Sequence, residues 1–228
     1  MLRRLTTLVA PITLAGVVST LPAFAQPTDN EAWDGGFNQK AERRSDLVLG
    51  ASAGLLLGTA SGYPNELDKI DVARYESSTG FAAGTAFSFW IGGALTDWFT
   101  VGVGTTLLGG SGPSGKLNGL AFIVKVEAFP LYGKGGPFRD LAFFADFGAG
   151  GMGVEGERSD PAEGGFTSVA GLGSAYELFR FGHFSFAPTA QYLFVNSPSL
   201  TSHSAIFGAR VVFYGGPSGK QRVARASP

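Results

Sequence analysis

Along most of this chain, bulky apolar residues fall on one parity and small or charged residues on the other. In Leu120–Phe129, Phe122, Val124, Val126 and Ala128 alternate with Lys125 and Glu127. Leu141–Phe147 sets Leu141, Phe143, Ala145 and Phe147 against Asp146, and Ser204–Phe213 sets Phe207, Ala209, Val211 and Phe213 against Gly208 and Arg210. A strand points successive side chains to opposite faces. Each segment therefore predicts a strand with one bulky apolar face and one small face carrying a charge or two. A strand between lipid and a narrow polar interior has this pattern.

The pattern predicts eight strands: Asp46–Ala60, Phe81–Leu95, Trp98–Gly109, Leu120–Tyr132, Leu141–Val154, Thr167–Phe181, Phe184–Val195 and Ser204–Tyr214. Their lengths suit tilted strands that cross a bilayer. The connections alternate. Ser61–Gly80, Gly110–Gly119, Glu155–Phe166 and Asn196–His203 are long, whereas Thr96-Asp97 and Gly182-His183 read as tight hairpin turns. Gly133–Asp140 is intermediate and rich in turn formers. Short turns on one side and long loops on the other are the plan of an up-and-down membrane barrel. The expected fold class is thus all-β, an eight-stranded antiparallel up-and-down transmembrane β-barrel over residues 46–214.

Which face looks outward follows from charge. The strand interiors carry Lys125, Glu127, Asp146, Glu177 and Arg210, while the first and third long loops are densely charged. A lipocalin-like barrel or an exported β-sandwich would turn the bulky face inward and need a solvated outer surface. Gly, Ala and Ser with so few charges cannot supply one. With the bulky face on lipid, the small face fits the tight lumen of an eight-stranded barrel. Trp90, Ile123, Val212 and Phe179 depart from the parity.

Aromatic residues cluster where strands end. Trp98, Phe99, Phe129, Tyr132, Phe181, Phe184, Phe213 and Tyr214 fall near the expected periplasmic ends, and Phe81, Phe166 and Phe194 near the others. Aromatic girdles mark both interfaces of such barrels.

The N-terminus reads as an export signal over residues 1–25. Met1-Leu-Arg-Arg is positive, Leu5–Leu21 is apolar, and Ala23-Phe24-Ala25 forms a small-x-small cleavage site. Residues 26–45 form a polar leader, and 215–228 a flexible periplasmic tail. No later apolar run has the length of a spanning helix, so a membrane span beyond the signal must be made of strands. The chain has 35 glycines, no cysteine and a formal net charge of -1, which leaves no disulfide framework and no nucleic-acid footprint.

Candidate chemistry is sparse. Lys125, Glu127, Asp146, Glu177 and Arg210 share the inward parity, and charges in a confined interior should pair. Lys125 is expected to join Asp146 or Glu127, and Arg210 to reach Glu177 across the barrel. Together they would plug the lumen; the alternative is a thin water path. Gly110-Ser-Gly-Pro-Ser-Gly-Lys116 fails as a phosphate loop because Leu117 stands where a magnesium-binding hydroxyl is needed. His183-Phe-Ser185 has no acid at the distance at which lipid A deacylases place theirs. Two histidines without cysteines give no metal site, and no cofactor is expected.

Gly92-Gly-Ala-Leu-Thr-Asp-Trp-Phe-Thr-Val-Gly102 and Gly208-Ala-Arg-Val-Val-Phe213 are where the chain resembles the OmpA-, OmpX- and OmpW-like outer-membrane barrels of Gram-negative bacteria. The first looks like their strand–turn–strand units. The second is similar to the signal read by the barrel-assembly machinery, although family members usually end on the aromatic and here Gly215–Pro228 follows. The resemblance implies an outer-membrane location, outer-membrane lipid and lipopolysaccharide around the wall, and the assembly machinery as a partner during insertion. It implies a non-enzymatic structural or loop-binding role first, a narrow OmpW-like channel second and a lipid-modifying enzyme third.

Overall fold

The computed structural model describes residues 44, 46–134, 136–156 and 161–215. The segments expected to form a signal peptide (1–25), a leader (26–45, apart from Arg44) and a tail (215–228, apart from Gly215) lie outside the described residues.

The strands in chain order are β1 (Asp46–Gly62), β2 (Ser77–Thr96), β3 (Phe99–Gly112), β4 (Gly115–Ala128), β5 (Leu141–Gly156), β6 (Ala162–Glu163), β7 (Thr167–Tyr176), β8 (Phe179–Phe181), β9 (Phe184–Asn196) and β10 (Leu200–Tyr214). Each long strand pairs antiparallel with the next, and β10 returns to β1 through an unbroken ladder from Val48↔Tyr214 to Gly62↔Leu200. Eight long strands therefore close into a barrel. The two-residue β6 folds against β5, and β8 carries the line of β7 onward along β9. Closure removes the exposed edges that an open sheet would leave.

Strands run further than the hydrophobic pattern predicts at the loop end. The second long connection shrinks to Pro113-Ser114, because Gly110–Gly112 and Gly115–Gly119 continue the β3–β4 ladder. The fourth shrinks to Ser197–Ser199. Backbone pairing there needs no apolar outer face, so the sequence pattern stops before the strands do. At the other end, Tyr132–Lys134 and Pro137–Asp140 form two short 3-10 turns, and β4 stops at Ala128. Gly182 has φ 58°, which the tight turn before β9 requires.

The outward parity is apolar as expected. Phe122 is 67% exposed, Leu172 66% and Phe87 52%, values that a water-facing wall would not sustain. The parity exceptions have local causes. Trp90 turns inward because its register partners are Gly50 and Gly104, and a side chain on Gly50 would collide with the indole. Phe179 faces outward because the break at Glu177-Leu178 resets the alternation between β7 and β8.

Candidate functional site

The interior gathers buried charged side chains, and it is built in two halves. At the turn end, Arg44 enters the barrel from below, 1% exposed. Its Nη2 donates to Glu177 Oε2 at 2.6 Å and Asp140 Oδ1 at 2.8 Å. Nη1 donates to the Asp97 carbonyl at 3.0 Å, and the Arg44 amide donates to Asp97 Oδ1 at 2.8 Å. The guanidinium lies 3.5 Å from the Phe129 ring centroid. Tyr214 donates its hydroxyl to Glu177 Oε1 at 2.6 Å.

Glu177 occupies the break between β7 and β8, outside the strand ladder. Burial pushes its carboxyl up, but the Arg44 guanidinium, then Arg180, outweigh burial and hold it down at about 2. Burial likewise disfavours the Arg44 cation, yet the Glu177 carboxylate more than compensates and raises its pKa.

One layer higher, Lys125 Nζ meets Asp146 Oδ1 at 2.7 Å, and Gln191 donates to Asp146 Oδ2 at 2.7 Å. The same ammonium sits 4.0 Å from the Phe144 ring centroid. Arg210 pairs with Glu127, whose other oxygen accepts from Thr100 at 3.4 Å. A cavity of about 20 Å³, bordered by Ser52, Ser88, Lys125 and Arg210, leaves room for one water.

The five expected lumen charges are therefore all buried, but not all pair as predicted. Arg210 takes Glu127, and the expected Arg210–Glu177 bridge is replaced by Arg44–Glu177. Arg44 was missed because it sits in a charged leader with no periodicity to mark it.

Two aromatic assignments are also corrected. Phe129 is fully buried and Tyr214 is 3% exposed, so neither joins an outward girdle. Tyr132 packs against the Phe129 cluster. The parity held the signal, since Phe129 continues the inward series Lys125, Glu127, and Tyr214 continues Arg210, Val212. Trp98, Phe181 and Phe184 are exposed on the outer wall, while Phe99 and Phe213 are half-buried.

The loop-end half of the lumen is mainly apolar, with the hydroxyls of Thr79, Thr106, Ser202 and Ser204 buried among larger side chains than a small face would supply. Leu56, Leu108, Ile123, Met152, Leu193 and Ile206 belong to one buried cluster that also takes in Leu117, Val154 and Leu200 near the top. Over it, three connections are knitted together. The Tyr63 amide donates to the Ser199 carbonyl at 2.7 Å, the Glu163 amide to the Tyr63 carbonyl at 3.2 Å, and Ser199 Oγ to the Glu163 carbonyl at 2.7 Å.

His183 does not form a nucleophile pair with Ser185. Its Nδ1 lies 2.8 Å from the Tyr214 carbonyl oxygen, and Ser185 is buried on the lumen side. Among the described residues, no group of three or more acidic, histidine or cysteine side chains could hold a metal.

A closed ring of eight antiparallel strands, apolar outside and filled inside, is now complete. This is an eight-stranded antiparallel up-and-down β-barrel. No family model matches the chain, and no curated protein does. Among solved structures it is similar to Ail, the attachment invasion locus protein of Yersinia pestis, at 10% identity over 74% of this chain and 99% of that one, with a TM-score of 0.47. Neisserial surface protein A is 12% identical over 73% of this chain and 96% of its own, with a TM-score of 0.45. The outer membrane protein OprG from Pseudomonas aeruginosa is 10% identical over 75% and 98%, with a TM-score of 0.40.

Proposed function

We propose that this protein is an integral outer-membrane barrel that does not conduct, a closed scaffold whose loop end presents a binding surface outside the cell. The observation that carries this reading is the filled lumen, ion-paired in its lower half and apolar in its upper half. Solute passage would have to break buried ion pairs and then wet an apolar plug, and both steps are costly. The membrane part of the reading is supported by the outer wall, where large apolar side chains such as Phe81, Phe122 and Phe147 stand more than half exposed. In this reading the segment 1–25 exports the chain and is cleaved, and the assembly machinery recognises the end of β10.

Three measurements test it together. The protein should fractionate with the outer membrane and migrate differently on gels when boiled and unboiled. Purified barrels in planar bilayers should give no conductance steps. Regular single-channel steps would overturn the closed scaffold in favour of a narrow channel, and a soluble protein with unchanged mobility would overturn the barrel's membrane insertion.

A further inference from the structure

The outer wall carries one feature that neither lipid packing nor the lumen accounts for. His203 on β10 is exposed on the lipid-facing parity, near the loop end. Its register partners are Phe194 on β9 and Thr59 on β1, and Thr59 in turn faces Phe81 on β2. The imidazole thus occupies a place in a row of interfacial aromatics, with its ring centroid 4.9 Å from that of Phe194. Aromatics at this height sit level with lipid headgroups.

Its orientation is fixed from one side. The Tyr192 hydroxyl lies 2.5 Å from His203 Nδ1. Tyr192 stands two residues from Phe194 on the same face, toward the middle of the strand and so deeper in the wall. Where Tyr192 donates to Nδ1, the ring proton resides on Nε2, at the end of the imidazole away from the backbone. The outward positions around it are filled by Tyr192, Phe194, Thr201, Ala205 and Thr59, so among the described strand neighbours no carboxylate competes for that proton and no second cation stands beside it. Thr201 is turned away, donating to Asn196 Oδ1 at 3.1 Å.

We propose that His203 is a contact for a lipid phosphate, its Nε2–H donating a hydrogen bond to a phosphate oxygen of an outer-leaflet headgroup. Such a bond is charge-assisted on the acceptor side. Tyr192 acts as a positioning residue by holding the tautomer. The inference rests on the membrane insertion proposed above and adds the ligand chemistry of one point on the wall.

The chain has two histidines, so labelling histidine nitrogens gives two side-chain signal sets, and His183 at the opposite end is an internal control. The protein is folded into discs of phosphatidylcholine and, separately, discs containing phosphatidic acid. Recoupling of histidine nitrogen to phosphorus is then read by solid-state NMR. Expected is attenuation of the His203 Nε2 signal well beyond that of His183. Attenuation in both lipids assigns phosphate in general, and attenuation only with phosphatidic acid assigns a terminal phosphate monoester. Tyr192→Phe should at least halve the effect and mix the two His203 tautomers, without changing heat-modifiable mobility. Equal attenuation at both histidines, or an unchanged effect in Tyr192→Phe, overturns the proposal. A preparation that keeps its heat-modifiable mobility and shows no attenuation at His203 overturns this inference alone. One that loses that mobility in the unmutated protein overturns the membrane reading beneath it.

Discussion

In its turn-end half the lumen is packed with Arg44, Glu127, Lys125, Asp146, Glu177 and Arg210; in its loop-end half, with Leu56, Ile123, Leu193 and Ile206. Both halves exclude solvent, but they do so with opposite sensitivities. The ionic half depends on each charge keeping its partner, because an uncompensated buried charge is far more costly than the pair is stabilising. The apolar half depends on volume, and a lost methylene is felt as a cavity whichever neighbour relaxes. The ionic half also reaches beyond the barrel strands, since Arg44 precedes β1 and ties the end of the leader to the underside of the barrel.

The comparison can be broken from either side. Arg210→Leu leaves Glu127 buried without its guanidinium, and should cost about 3–5 kcal/mol. The folded band on unboiled gels should then vanish at a clearly lower temperature. Adding Glu127→Leu in the same chain should recover most or all of that loss, because an apolar pair of similar volume is often neutral or stabilising. If the double variant melts as low as Arg210→Leu alone, unpaired charge is not what the single variant suffers from. In the upper half, Leu56 is fully buried, and Leu56→Ala should cost about 2–5 kcal/mol. No second substitution of opposite charge can rescue it; Ile206→Phe, which restores volume, is the variant that should recover part of the loss.

The two halves were unequally legible in the sequence. Lipid on one side forces strict alternation, so the outer wall, the strand count and the inward parity of Lys125, Glu127, Asp146 and Arg210 could be read directly. The upper plug could not, because runs such as Leu55-Leu56-Leu57 and Tyr192-Leu-Phe-Val195 are apolar on both parities. There the inner face resembles the outer one. Pair identities were legible only between neighbouring strands: Lys125 and Asp146 are direct register partners, whereas Arg210 meets Glu127 across the lumen, where sequence spacing carries no information. Phe129 and Tyr214 were misplaced for a different reason. An aromatic at a strand end looks the same whether it faces headgroups or caps a buried arginine, and only strict counting from Lys125 or Arg210 separates the two.

The smallest effect expected is on acid stability, and it isolates the contribution of Arg44. Glu177 has a folded pKa of about 2 against an ordinary value of 4.5. Its carboxylate is therefore held ionised more firmly in the folded barrel than in the unfolded chain. A depressed folded value means the stabilisation is complete above about 4.5 and is lost as pH falls toward about 2. The folded fraction, followed by unboiled gel mobility after acid incubation, should decline across that window. Arg44→Gln removes the first-ranked partner that lowers the Glu177 value, so its decline should begin at higher pH, while its behaviour near neutrality changes less. Glu177→Gln should flatten the response in the same window. Should Arg44→Gln follow the unmutated curve, Arg44 would matter only for packing against Phe129.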